Sequence, residues 1–120
     1  MKKVCVFLAD GFEEIEGLTV VDILRRAGVE TETVSVMGRK QIHGSHDILV
    51  EADKLFEEAD IAAADMLVLP GGMPGTLNLK AHEGLKGQLL AFDSQGKYLA
   101  GICAAPTVLS EPGLLKGKKA

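Results

Sequence analysis

Positions 4 to 9 of the chain, Val4, Cys5, Val6, Phe7, Leu8 and Ala9, are apolar without interruption. An unbroken run of that length marks a strand covered on both faces, as in a parallel sheet, so a buried strand is predicted over residues 2–9. Asp10 and Gly11 break it. Ile15, Leu18, Val21, Leu24 and Ala27 then recur at helical spacing, and Gly28 is a C-terminal stop. Residues 30–37 alternate Thr, Val and Ser as a second strand, and residues 46–50 suit a short hairpin partner. Residues 53–59 read as a short helix. Met66, Leu67, Val68 and Leu69 form the next buried strand, ended by Pro70, Gly71 and Gly72. Helical pieces are predicted over 76–82 and 83–95, a further strand over 98–102, and a helix over 104–110.

Strands alternating with helices indicate a doubly wound α/β sandwich with a mostly parallel sheet. At 120 residues the chain suits a single domain, 1–120. In such sheets ligands bind beyond the carboxyl ends of the strands. Those ends carry the segment 10–16, the pair Gly71 and Gly72, and Cys103. Three separate loops are expected to meet where a site belongs.

Composition narrows the function. Hydrophobic residues make up 47% and aromatic residues only 4%, with no Trp, so the core must come from Val, Leu, Ile and Ala. Seventeen acidic against thirteen basic residues leave a net charge of −4, which speaks against nucleic acid as a structural partner. The apolar runs are strand-sized, so no membrane span is expected. Lys2 and Lys3 are followed by Asp10, Glu13, Glu14 and Glu16 with no small-residue cleavage site, so a cytoplasmic protein is expected. Two cysteines in such a chain are not expected to pair.

Gly101, Ile102, Cys103, Ala104 and Ala105 have the small-x-nucleophile-x-small spacing of a nucleophile elbow. Small residues are needed there because the sharp turn brings strand and helix backbones together. An elbow would put the sulfur at a helix N-terminus, which favours the thiolate, with the Ala104 N–H as an oxyanion donor. The competing reading is an inert, buried cysteine. Cys5, mid-strand between Val4 and Val6, fits that description. Gly71 and Gly72 let the backbone approach a ligand, and Gly72 would supply a second oxyanion donor; an ordinary tight turn is the alternative. Glu13 and Glu14 read as a solvated, favourably charged first helical turn. Glu16 lies on another face, where a partly buried carboxyl beside a thiolate could shuttle a proton. His43, His46 and His82 read as surface residues; the hairpin of His46 could approach a dimer partner's site. No metal-ligand spacing occurs, and no metal site is expected.

The segments Ala9 to Glu16, Val68 to Gly72 and Gly101 to Thr107 together resemble the ThiJ/PfpI superfamily, in the branch of the Parkinson-associated protein deglycase. The resemblance implies a flavodoxin-like three-layer sandwich, usually a homodimer, with Cys103 as nucleophile. It implies that Glu16 hydrogen-bonds the sulfur and that Gly72 and Ala104 are the oxyanion donors; from the reading of the loops, Gly71 and His46 are further candidates for a substrate or dimer contact. Ala104 stands where the protease-like branch has His, which argues against a protease. The family's C-terminal strands, last helix and third catalytic position lie beyond Ala120. The implied activity is that of a cofactor-independent glyoxalase or deglycase acting on 2-oxoaldehydes such as methylglyoxal, or on their thiol and amine adducts, glycated proteins included. The alternative is a redox-sensing stress protein or chaperone using the oxidisable Cys103. A role in thiamine metabolism rests on a family label alone.

Overall fold

The computed structural model describes residues 3–72, 78–79, 81–94 and 98–101. Five strands form one parallel sheet: β1 (Lys3–Leu8), β2 (Glu30–Ser35), β5 (Lys54–Leu55), β6 (Met66–Leu69) and β7 (Tyr98–Gly101). Their order is β5-β2-β1-β6-β7, with every neighbouring pair parallel. Helix α1 (Glu14–Arg26) connects β1 to β2, and α2 (Glu83–Ser94) precedes β7. The flavodoxin-like fold expected from the sequence is present. A small antiparallel hairpin, β3 (Gln41–His43) with β4 (Leu49–Glu51), stands apart from the main sheet. A single 3-10 turn (Ile61–Ala63) leads into β6.

The uninterrupted apolar run of β1 is explained by its central place. Cys5, Phe7 and Ala9 point to one face, where Leu67, Leu69, Leu79, Leu85, Leu89 and Phe92 close the core under α2. Val4, Val6 and Leu8 point to the other, against Phe12, Val21, Ile42 and Val68 beneath α1 and the hairpin. Period-two alternation thus feeds two cores from one strand. Cys5 is fully buried and unpaired, and burial pushes its thiol up to about 11. It is the inert thiol that its setting predicts.

Helix α1 corrects the reading of its own apolar stripe. Val21 is buried, but Ile15 is 75% and Leu18 37% exposed, whereas Glu14, expected in solvent, is only 3% exposed. The reason lies in the hairpin, which covers the first turn and offers donors to the Glu14 carboxylate. The helix ends as expected: Gly28 takes φ +79°, and the Gly28 N–H donates to Arg25 O at 3.1 Å.

A second correction concerns residues 53–59, which are not a helix. Asp53 is held by β2, accepting from Thr33 N–H at 3.0 Å and donating its own N–H to Thr33 Oγ1 at 2.8 Å. Arg25 of α1 reaches the same Asp53 carboxylate at 2.7 Å. Residues 54 and 55 then pair with the open edge of β2, and the Phe56 N–H donates to Ser35 O. Unpaired edge groups outweigh weak helical propensity in so short a segment. A third correction is His82, which is partly buried instead of lying on the surface. No helix among the described residues is long and apolar enough to cross a membrane.

Candidate functional site

The chain leaves β1 toward β2 on one side of the sheet, and β6 lies on the other side of β1. The topological switch point therefore falls between the carboxyl ends of β1 and β6, where a crevice forms in open α/β sheets. Two loops are stitched together across it. Glu13 N–H donates to Gly71 O at 2.8 Å, and Gly71 N–H donates to Glu16 Oε1 at 3.1 Å. Glu16 thus reaches the loop that follows β6, and Gly71 serves through its backbone as the anchor of the acidic loop.

Gly72 follows with φ +100°, and a Cβ there would collide with Glu13 N and lie 2.8 Å from Gly11 O. Only glycine fits this close approach of two loops. β7 runs beside β6 with Leu69 opposite Gly101. Two residues later in sequence comes Cys103; it and Ala104 lie outside the described residues.

Sequence reasoning missed the bracing of the β1–α1 loop. Asp10 receives the guanidinium of Arg39 and the N–H of His43 at 3.1 Å through its carboxylate. Its carbonyl accepts from Asn78 Nδ2 at 2.7 Å. These partners lie 29, 33 and 68 residues away, so no local pattern announces them.

His46 is brought to Glu14, not to Glu16. Glu14 Oε1 meets His46 Nδ1 at 2.9 Å and Ser45 Oγ at 3.3 Å. Its Oε2 accepts the N–H groups of His46 and Ile48 at 2.8 and 3.2 Å. Burial alone would raise the pKa of Glu14, but the His46 side chain and these backbone donors outweigh it and hold the carboxyl at about 2. The same hydrogen bond from Glu14, then the charges of Glu13 and Glu14, raise the pKa of His46. Donor atoms of Glu13, Glu14 and His46 lie within 4.8 Å of one another, a grouping that could hold a cation. Both Glu14 oxygens are nevertheless filled by hairpin donors, which makes the group an ion-pair clip. No local pattern announces it, because Glu14 lies 32 residues from His46.

The pattern that defines the DJ-1/PfpI family matches residues 2–120. The chain belongs to that family. It is 37% identical over 120 residues to protein DJ-1 homolog A of Arabidopsis thaliana, covering 99% of this chain and 31% of that one. It is 34% identical over 117 residues to a deglycase of Thermococcus kodakarensis, covering 98% of this chain and 69% of the relative. Among solved structures, oxidized DJ-1 of Toxoplasma gondii superposes with a TM-score of 0.94 at 39% identity, covering 98% of this chain and 64% of that one. The chain therefore spans from under a third to about two thirds of the length of these relatives.

Proposed function

We propose that the chain acts through Cys103 as a cofactor-independent glyoxalase or deglycase on 2-oxoaldehydes such as methylglyoxal, or on their thiol and amine adducts. The carrying observation is the Gly71 N–H to Glu16 Oε1 bond, which fixes a carboxylate just beyond β6, the strand that pairs with the one leading to Cys103. A relative of which this chain covers 69%, at 34% identity, is a deglycase.

In this reading the Cys103 thiolate attacks the aldehyde carbon, and the new alkoxide takes a proton, giving a hemithioacetal. Glu16 removes the proton from that carbon and returns it to the neighbouring one, while the hemithioacetal becomes a thioester and the ketone an alcohol. Water then cleaves the thioester, releasing the 2-hydroxy acid and regenerating the thiol. Methylglyoxal plus water gives lactate, with no net redox change. Gly72 and Ala104 are assigned to the developing oxyanion. The decisive assay is methylglyoxal consumption with lactate detection by wild type, Cys103→Ser and Glu16→Gln. Both variants are expected to lose turnover; lactate formation by Cys103→Ser at the wild-type rate sinks the reading.

The redox-sensing alternative draws support from the Toxoplasma gondii relative, solved in an oxidized form. It requires that peroxide convert Cys103 to a sulfenic or sulfinic acid in Glu16→Gln as well. We further assign the chain to a cytoplasmic homodimer. Ile15 and Leu18 on α1 and Ile48 and Leu49 on the hairpin are exposed large hydrophobics, joined by the bond from Ile48 N–H to Glu14. Such a patch is typical of a subunit interface.

A further inference from the structure

His82 occupies the position just before α2, where Ser, Thr, Asp or Asn is the usual cap. Its carbonyl accepts from Lys86 N–H at 3.2 Å, the first bond of the helix. Its ring Nδ1 accepts from Leu85 N–H at 2.9 Å. This is the contact that a capping hydroxyl makes to the third residue of a helix. A backbone N–H can only donate, so Nδ1 must be bare, with the ring neutral and its proton on Nε2.

The surroundings hold the ring in that role. It packs on Phe56 with centroids 4.5 Å apart at 58°. Gly84 leaves room for the stack, because a Cβ there would lie 2.9 Å from Phe56 and 3.1 Å from the His82 ring. Burial lowers the pKa of His82, opposed by the charge of Glu57 from the turn after β5. On α2 itself, Glu83 and Lys86 pair with each other at 3.7 Å. A protonated ring would also face the positive end of the α2 dipole.

We propose that His82 is a proton-operated helix cap, closing the first turn of α2 when neutral and releasing the Leu85 N–H when protonated. The consequence reaches the switch point. Asn78, four residues before the cap, donates to Asp10 O at the root of the acidic loop. Opening the start of α2 loosens this brace, so acid conditions relax the loop that carries Glu13, Glu14 and Glu16. The device is independent of the chemistry assigned to Cys103.

The sign follows from linkage. A His whose pKa falls on folding binds protons more readily when unfolded, so its stabilisation is complete above about pH 6.5 and is lost as pH falls toward the lowered value. The test is NMR of the full chain, following the His82 ring and the exchange protection of the Leu85 amide from about pH 7.5 down to about pH 4.5. His82→Ser keeps an acceptor that does not titrate in this range, and His82→Ala removes it. After correction for intrinsic exchange, wild-type Leu85 should lose protection by about fivefold or more on acidification, while His82→Ser stays level. His82→Ala should be unprotected throughout. Parallel pH profiles for wild type and His82→Ser overturn the proposal, as does a wild-type ring titrating at or above about pH 6.5. Both readouts stand even if His82→Ala fails to fold.

Discussion

Glu14 and His46 are locked at 2.9 Å, and this contact fastens the β3–β4 hairpin to the first turn of α1. One carboxylate oxygen takes the ring and the Ser45 hydroxyl while the other takes two backbone N–H groups, so the clip rigidifies a turn that has little core of its own.

Replacing Glu14 by Gln should loosen the hairpin without unfolding the sheet. The His46 pKa should drop toward its ordinary value, and the His46 and Ile48 amides should exchange about tenfold faster or more. NMR titration and exchange on the same sample check both.

The clip also sets a pH window. The pKa of His46 is raised in the folded state, so its contribution is complete below about pH 6.5 and fades as pH rises through the raised value. The carboxyl of Glu14 is lowered to about 2, so its share is present above about pH 4.5 and is lost as pH falls toward that value. Melting temperature against pH should therefore differ between wild type and His46→Ala chiefly in the acidic to neutral range, and the difference should vanish in alkali.

Glu16→Gln should cut methylglyoxal turnover by about a hundredfold or more, the usual scale for losing a general acid–base group. Peptide-resolved iodoacetamide labelling across pH should still find Cys103 more reactive than the buried Cys5. If Cys103 labels as slowly as Cys5, the activated thiolate is absent and the proposed chemistry goes with it.

Gly72→Ala should lower stability by about 1–3 kcal/mol, because alanine must adopt φ +100° while its Cβ meets the Glu13 backbone. Thermal denaturation measures this directly. A melting temperature equal to wild type would mean that the two loops can separate at no cost.

Leu18→Glu on the exposed face of α1 should give monomers where the wild type gives dimers, read by light scattering after size exclusion. A wild-type monomer would remove the homodimer assignment.

Much of this architecture was legible from the order of residues. Runs such as Val4 to Ala9 and Met66 to Leu69, short, apolar and ended by Gly or Pro, read as strands buried on both faces, and the loops after them mark the ligand edge. The separate face of Glu16 was legible too, since two residues along a helix lie about 200° apart around its axis. Which side of α1 faces inward was not: Ile15 and Leu18 make an apolar stripe whether it meets the sheet or another surface. Only the folded hairpin, arriving from residues 44–48 with its donors, makes burial of Glu14 favourable. Likewise, residues 53–59 have helical composition, yet the open edge of β2 claims them, and His82 becomes a cap only because Phe56 and Leu85 meet it. Local periodicity acts through neighbours one turn or one pleat away, so it marks the long elements and leaves short edge segments such as residues 54 and 55 to tertiary pairing. The partners of a charged or polar group come from anywhere in the chain, and only the tertiary structure decides them.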